Sequence, residues 1–150
     1  MYRILFVCVE NAARSQMAEA FARIHGAGRV AAESAGSRPA GWLDPRAVAA
    51  MREGGYDLTA HRSKGLTEIG AGSWDCVVTL GCGDACPWVP ATQREDWPLP
   101  DPRDLSRPEF DRLRDEIEAR VLDLLARLAS RAPIPKPEIA IDAPPPEDLV

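Results

Sequence analysis

The chain opens with a strand that runs directly into a loop and then a helix. Segment 3–7 contains four consecutive large apolar residues, a run typical of a parallel strand covered on both faces. From Ser15 onward, Met17, Phe21 and Ile24 recur at helical spacing. Strand-like and helical segments continue to alternate along the chain, so the sequence predicts an α/β fold with a parallel sheet.

The loop after this strand has a cysteine at one end and an arginine at the other. Cys8 and Arg14 are separated by five residues. Such a loop directs backbone N–H groups inward, and the N-terminus of the next helix adds free donors and a positive dipole. Only a thiolate is a good nucleophile, and a guanidinium can hold two oxyanion oxygens at once. The segment predicts a cradle for a tetrahedral oxyanion, with a buried structural cysteine as the alternative.

Two polar side chains near the loop fit this prediction. Asn11 suits a position with positive φ, and the Ser15 hydroxyl is placed to help the loop amides stabilise a thiolate. The predicted oxyanion-binding residues are Val9, Glu10, Asn11, Ala12, Ala13 and Arg14.

Length and charge limit the classes of function. The chain has 150 residues and a net charge of −5, so we expect one main domain without general affinity for nucleic acid or anionic membranes. No stretch reads as a membrane span or leader, and we expect a cytoplasmic monomer. Six of the fourteen prolines fall in the final twenty residues. We therefore assign residues 1–131 to the domain and 132–150 to an extended or disordered tail.

Local patterns predict the remaining elements. Apolar runs indicate a strand over 30–36, a strand over 74–80 and a short edge strand over 94–99. Capping residues indicate two helices. One begins at Asp44-Pro45, and the last helix begins with a capping box of Ser106 and Glu109.

A second cysteine cluster follows the third predicted strand. Segment 81–87 reads Gly-Cys-Gly-Asp-Ala-Cys-Pro. The carboxyl ends of parallel strands share one edge of the sheet, so Cys82 and Cys86 are expected on the same edge as Cys8. Three intervening residues allow the Cα separation that a disulfide needs, which favours thiol–disulfide relay chemistry.

Alternatives for the cysteines stay open at this point. A zinc site could combine Cys82 and Cys86 with Cys8 or His61, although a second paired motif of the structural zinc type is not present. Cys82 and Cys86 could also be a purely structural pair. Cys76 lies inside an apolar strand and is interpreted as inert core, and His61 is interpreted as a satisfied structural residue.

A proline-rich segment supplies a candidate acid. Asp101-Pro102 ends the run Trp-Pro-Leu-Pro-Asp-Pro over 97–102. A carboxyl group held by such a stiff segment could donate a proton to a departing oxygen, and an ordinary Asp-Pro turn explains it equally well.

Together these residues resemble the thioredoxin-coupled arsenate reductases, which share the fold of low-molecular-weight protein tyrosine phosphatases. The resemblance covers about residues 1 to 130 and rests on segments 8–19, 33–36, 61–63 and 77–80, on Cys82 and Cys86, and on 97–102. It implies an α/β three-layer sandwich in which helices flank a four-stranded parallel sheet of order 2-1-3-4.

The resemblance also implies a mechanism for arsenic detoxification. Cys8 would attack arsenate while Arg14 and the loop amides hold the oxygens, Ser15 stabilises the thiolate and Asp101 protonates the leaving hydroxide. Cys82 would then attack the adduct, and Cys86 would complete an intramolecular disulfide relay. The implied catalytic residues are Cys8, Arg14, Ser15, Cys82, Cys86 and Asp101.

The resemblance implies an external reductant rather than a tightly bound cofactor. Thioredoxin is the leading expectation, and the short loop 81–87 also resembles members coupled to mycothiol, with glutathione a further alternative. Relatives bind potassium at positions that correspond to Asn11, Glu19 and Ser34, where Lys64 could supply the charge instead. A phosphatase acting on phosphotyrosine or small phosphate esters is the alternative function, and a non-catalytic thiol-based metalloid sensor is the second.

Overall fold

The computed structural model describes residues 1–82 and 88–131. Within those ranges the chain forms four parallel strands and three α-helices. The strands lie in the order β2-β1-β3-β4, which confirms the predicted sheet. The elements are β1 (Tyr2–Cys8), α1 (Arg14–His25), β2 (Val30–Gly36), α2 (Pro45–Glu53), β3 (Trp74–Leu80), β4 (Ala91–Trp97) and α3 (Arg107–Arg131), with short 3-10 turns at Leu58–Ala60, Leu66–Glu68 and Pro102–Asp104.

The register of the sheet places Cys8 at its carboxyl edge. Cys8 pairs with Gly36 at the end of β2, and the preceding Val7 pairs with Thr79 near the end of β3. The strand order reverses direction at β1, because β2 lies on one side of it and β3 on the other. Open parallel sheets bind ligands at such a reversal, outside the carboxyl ends of the strands.

The sheet has a core on each face. The larger core joins β1 and β3 residues such as Phe6 and Val78 to buried residues of all three α-helices, among them Met17, Met51 and Ile117. A smaller core around Leu5, Val7, Ala35, Trp74 and Val77 is covered by Leu66 and Ile69. Both faces of β1 are therefore buried, as its apolar run predicts.

The capping predictions for two helices are confirmed. Asp44 accepts a hydrogen bond from Arg46 N at 2.8 Å at the start of α2. At the start of α3, Ser106 N donates to Glu109 Oε1 at 2.8 Å, and Glu109 N donates to Ser106 Oγ at 3.3 Å. The apolar residues of α3 are buried: Phe110, Leu113, Ile117, Val121, Leu124 and Leu128. Among the described helices, none is long and apolar enough to cross a membrane.

Two local predictions were wrong in detail. The edge strand was expected over 94–99, but β4 covers Ala91–Trp97; it ends there because Pro98 has no backbone N–H for the ladder. Ile24 belongs to the predicted apolar pattern of α1 but is 42% exposed. The tail assigned to residues 132–150 lies outside the described residues, so the domain boundary remains a prediction.

Candidate active site

The carbonyl groups of the loop after β1 accept hydrogen bonds from a neighbouring segment of the chain. Backbone N–H groups of segment 37–44 donate at 2.8–3.1 Å to four of them, those of Cys8, Val9, Glu10 and Ala12. The C=O and N–H of a trans peptide point in opposite directions, so the N–H groups of these four peptide planes face the inner side of the loop. They are the N–H groups of Val9, Glu10, Asn11 and Ala13.

The Cys8 sulfur lies among hydrogen-bond donors. Cys8 is free and only 2% exposed. Its Sγ is 2.9 Å from Ser15 Oγ and accepts the Asn11 backbone N–H at 3.3 Å. Asn11 has φ +53°, which confirms the predicted positive-φ position. Donors of this kind stabilise a thiolate over a thiol.

The direction of the bond between Ser15 and Cys8 follows from the Asn11 side chain. Asn11 Oδ1 accepts from Gln16 Nε2 at 2.8 Å and from Lys64 N at 2.9 Å, which fixes the orientation of the amide. Its Nδ2 therefore donates, at 2.7 Å to Ser15 Oγ and at 2.9 Å to Ser34 Oγ. Because the Ser15 oxygen already accepts from Asn11, its hydroxyl proton is available for the Cys8 sulfur.

Arg14 and the N-terminus of α1 complete the positive side of the loop. Ala13 is the N-cap of α1 and provides no side-chain cap, and the first turn has no acidic residue. The free N–H groups and the helix dipole are thus directed at the loop without a competing anion. Arg14 is buried, and its Nη1 lies 3.5 Å from Leu99 O.

The carboxyl end of β3 packs against Arg14 through a glycine. Gly81 has φ +74°, a region that favours glycine. A Cβ at this position would overlap both Arg14 Nη1 and Leu99 O. The backbone next to Cys82 therefore approaches the guanidinium more closely than any other residue type would allow.

One cleft of about 530 Å³ brings most of the predicted catalytic residues together. Its wall includes Cys8, Arg14, Cys82 and Asp101. Cys82 is 7% exposed and disulfide-bonded, and its Sγ lies 3.9 Å from the carbonyl oxygen of Val7. Ser15 contacts the sulfur from below the loop, and Cys86 lies outside the described residues. Asp101 is exposed and accepts from Arg103 N at 2.9 Å, which caps the Pro102–Asp104 turn.

The residues named for a potassium site form one connected group beneath the loop. Ser34 Oγ donates to Glu19 Oε1 at 2.6 Å, and Asn11 donates to the same Ser34 oxygen. Glu19 is buried, with Arg23 at 2.8 Å and Lys64 Nζ at 3.9 Å from its carboxylate oxygens. Two cationic side chains, Arg23 and Lys64, thus face the buried carboxylate of Glu19.

His61 belongs to the same buried network. Its Nδ1 lies 3.0 Å from Gln16 Oε1 and its Nε2 lies 2.7 Å from Tyr56 OH. Gln16 Nε2 donates elsewhere, so Gln16 Oε1 accepts and His61 Nδ1 is the donor. Burial lowers the pKa of His61, against the opposing attraction of Glu19. This confirms the interpretation of His61 as a satisfied structural residue.

The zinc alternative includes Cys86, which lies outside the described residues, so the structure bears only on its other ligands. Residues 1–82 and 88–131 contain no group of three or more His, Cys, Asp or Glu residues that could hold a metal ion. Both ring nitrogens of His61 are occupied by Gln16 and Tyr56.

Several residues in the cleft wall were missed at the sequence level. Arg38, Trp42, Arg46 and Arg103 line it together with the predicted residues. The local sequence of Asp44-Pro45-Arg46 indicates a helix start and explains the cap, but it gives no sign that the arginine reaches a segment more than fifty residues away.

A family profile described as low molecular weight phosphotyrosine protein phosphatase matches residues 3–133. The chain belongs to this family. The predicted resemblance and the α/β fold are thereby confirmed.

Several arsenate reductases are similar to this member of the low molecular weight phosphatase family. The glutaredoxin arsenate reductase of Synechocystis sp. is 38% identical over 132 residues, which cover 86% of this chain and 100% of that protein. A solved structure described as an arsenate reductase in the phosphate binding state is 36% identical with a TM-score of 0.76, over 85% of this chain and 98% of the other. The thioredoxin-dependent arsenate reductase of Corynebacterium glutamicum is 32% identical with a TM-score of 0.74, over 87% of this chain and 63% of the other.

Proposed function

We propose that this chain reduces arsenate to arsenite by a cysteine nucleophile and a disulfide relay. The observation that carries the proposal is that one cleft holds both the Cys8 loop and Cys82. Hydrolysis of a phosphate ester needs the loop and a proton donor but no second thiol, whereas reduction needs a second thiol that can reach the first. The names of the arsenate reductases similar to this chain support the same activity.

The first step uses the oxyanion loop. The Cys8 thiolate attacks the arsenic of arsenate, a sulfur–arsenic bond forms, and one arsenic–oxygen bond breaks. The leaving hydroxyl group takes a proton from Asp101 and departs as water. Arg14, the inner N–H groups of the loop and the N-terminus of α1 hold the remaining oxygens, which carry the developing negative charge.

The second step transfers the electrons. The Cys82 thiolate attacks Cys8 Sγ, a disulfide forms, and the sulfur–arsenic bond breaks with its electron pair left on arsenic. Arsenic is reduced from As(V) to As(III) and leaves as arsenite, while the two thiols are oxidised. Cys86 would then attack Cys82 Sγ, release Cys8 as a thiolate and leave a disulfide for an external reductant to reduce.

The electron donor is a separate part of the proposal. We propose thioredoxin, with glutathione through glutaredoxin and mycothiol as alternatives, because similar chains include both a glutaredoxin and a thioredoxin-dependent arsenate reductase. Arsenite formation should be measured with the three reducing systems in parallel, and turnover with none of them would contradict reduction through thiols.

The Cys82→Ala variant separates reduction from hydrolysis. We expect it to stop arsenate turnover and to retain hydrolysis of an aryl phosphate, because the Cys8 loop remains complete. Cys76→Ala is the matched control, since that thiol is also buried but lies inside the sheet. If hydrolysis falls together with reduction in the Cys82 variant, the relay role of Cys82 is wrong.

A phosphatase is the second candidate function. The complete oxyanion loop favours it, because arsenate and phosphate have nearly the same shape and charge. The outcome that would establish it is hydrolysis of phosphate esters without arsenite formation under any reducing system. A metalloid sensor would bind arsenite without turnover, and it would need neither the oxyanion loop nor Asp101.

The potassium ion implied by the resemblance remains a proposal for Asn11, Glu19 and Ser34. Lys64 Nζ lies 3.9 Å from Glu19 Oε1 and already supplies a positive charge there. Unfolding of the wild type and of Lys64→Ala should be compared in potassium chloride and choline chloride. Specific stabilisation of the wild type by potassium supports the ion. Stabilisation confined to the variant supports the ammonium group as its substitute.

The assignment of a cytoplasmic monomer also belongs to the proposal. The free thiol of Cys8 fits a reducing compartment. Size-exclusion chromatography with light scattering tests the monomer, and a stable dimer at working concentration would overturn it.

A further inference from the structure

Arg46 connects two segments of the cleft wall. Its Nε and Nη2 donate to the two carboxylate oxygens of Asp44, at 3.2 and 2.8 Å. Its Nη1 donates to Pro102 O at 2.9 Å and to Leu105 O at 3.1 Å. The guanidinium also lies over the Phe110 ring, with its Cζ 4.7 Å from the ring centroid. One side chain therefore holds a carboxylate on one side and a backbone turn on the other.

The carboxylate side of this contact is tied to the oxyanion loop. Asp44 N donates to Ala12 O at 2.9 Å, one of the bonds that orient the loop carbonyls. The Asp44 side chain also caps α2 through Arg46 N. Asp44 is therefore fixed relative to the loop that carries Cys8.

The turn on the other side carries Asp101. Arg46 donates to the carbonyl oxygens of Pro102 and Leu105. Pro102 is the first residue of the 3-10 turn Pro102–Asp104, and Leu105 follows its last residue. Asp101 is the N-cap of that turn, with Arg103 N donating to its Oδ1. A continuous series of hydrogen bonds thus runs from the oxyanion loop through Asp44 and Arg46 to the turn that begins at Asp101.

The groups around Arg46 stabilise its positive charge. Its pKa is raised, first by the hydrogen bond to Asp44 and further by the charges of Asp44 and Asp101, while burial acts in the opposite direction. Arginine suits this position because a planar fork can bind a carboxylate along one edge and carbonyl oxygens along another. A lysine ammonium has one nitrogen and cannot form both edges.

We infer that Arg46 is a positioning residue, which sets the distance between the Cys8 loop and Asp101 so that the Asp101 carboxyl reaches the leaving oxygen. The inference rests on the proposed role of Asp101 as proton donor. Arg46 itself contacts neither the sulfur nor the acid; it acts through Asp44 and through the turn.

A series of aryl phosphates with different leaving groups tests this role. Proton donation matters most for a poor leaving group such as phenol and little for a good one such as 2,4-dinitrophenol. We expect Arg46→Gln to lower kcat/KM for phenyl phosphate about 10- to 100-fold more than for 2,4-dinitrophenyl phosphate. A variant that merely loosens the fold would lower both equally, and equal losses would overturn the inference.

Companion variants separate this inference from the proposed function. Asp101→Asn should show the same dependence on leaving group, and adding Arg46→Gln to it should cause little further loss. If Asp101→Asn shows no such dependence, the proton-donor role fails. If Asp101→Asn shows it and Arg46→Gln does not, the donor stands and the positioning role fails.

Two further variants guard against unfolding and unspecific effects. Arg46→Lys keeps the charge and loses the fork, and it should show an intermediate dependence on leaving group even if the glutamine variant is unstable. Arg107→Gln also removes an arginine that bridges two acidic side chains, Glu53 and Asp111, at a site outside the cleft. It should leave the dependence on leaving group unchanged.

Discussion

Two buried thiols on neighbouring strands differ in their position along the strand and in their access to the cleft. Cys8 on β1 and Cys76 on β3 are both at most 2% exposed. Both belong to the larger core, but Cys76 lies inside the sheet, paired in register with Ile4 and Gln93. Cys8 ends its strand, accepts the Asn11 N–H and lines the cleft. A place at the end of a strand and access to the cleft, rather than burial, distinguish a nucleophile from a core thiol.

The largest expected effect comes from replacing each of the two cysteines by serine in a separate variant. Cys8→Ser should lower arsenate reduction and aryl phosphate hydrolysis on the order of 10⁶-fold, as loss of an essential nucleophile does in other enzymes. Cys76→Ser should leave both activities close to wild type. Steady-state kinetics of the two variants decide the comparison, and activity that survives in the Cys8 variant would remove the nucleophile from its assigned position.

The next effect concerns the donor beneath the sulfur. Ser15→Ala removes the hydroxyl that lies 2.9 Å from Cys8 Sγ. Hydrogen bonds to a charged group contribute about 1.5–3 kcal/mol, so the rate of Cys8 alkylation at neutral pH should fall about 10- to 100-fold. Iodoacetamide labelling followed by mass spectrometry measures it. An unchanged rate would show that Ser15 does not stabilise the thiolate.

A smaller effect tests how closely the end of β3 approaches Arg14. Gly81→Ala and Gly28→Ala both place a side chain at positive φ, at +74° and +81°, and each should cost about 1–2 kcal/mol of stability. Only Gly81→Ala also displaces Arg14, because a Cβ at residue 28 meets no atom within 4 Å.

Beyond the backbone cost that the two variants share, the added Cβ of Gly81→Ala also overlaps Leu99 O, so this variant should be the less stable of the two in urea. Their activities should be compared under conditions in which both variants are folded. We expect kcat/KM to fall about tenfold more for Gly81→Ala than for Gly28→Ala. This loss is smaller than the one seen when a transition-state donor is removed entirely, because Arg14 is displaced and not deleted. Equal activities in the two variants would mean that Arg14 tolerates the displacement.

The smallest effect is on the pH dependence of stability. The pKa of His61 is lowered in the folded protein by burial, so the unfolded chain binds a proton more readily. Stability should therefore decrease as the pH falls through the ordinary histidine range, about 7.5 to 5.5. Urea unfolding across that interval should show this decrease in the wild type and a weaker one in His61→Gln. The matched variant His25→Gln must show the same contribution of His61 to the decrease in stability between these pH values.

The interactions that could be predicted from the sequence are mostly local. Asp44 caps α2 within two residues, and Ser106 and Glu109 cap α3 within three, so composition at fixed spacing reveals them. The four strands and their order follow from apolar runs and from the family resemblance. The outer strand β4 was misplaced because its residues alternate between exposed and partly buried positions and include few apolar ones.

The parts of the site that were missed depend on long-range partners. Arg46 reaches a carbonyl 56 residues away, and His61 reaches Gln16 across 45 residues. One sequence carries no information on which distant polar groups meet, because a buried bond requires only that some partner be present. Asn11, in contrast, was recognised because its backbone conformation is a local requirement.

The outer hydrogen bonds of the Cys8 loop have a consequence for how freely this protein can vary. Main-chain atoms, not side chains, give the anion cradle its shape, since segment 37–44 holds it through carbonyl groups. Positions 12 and 13 can thus be plain alanines, because the donors that face the anion belong to the main chain and neither methyl group has to take part in binding.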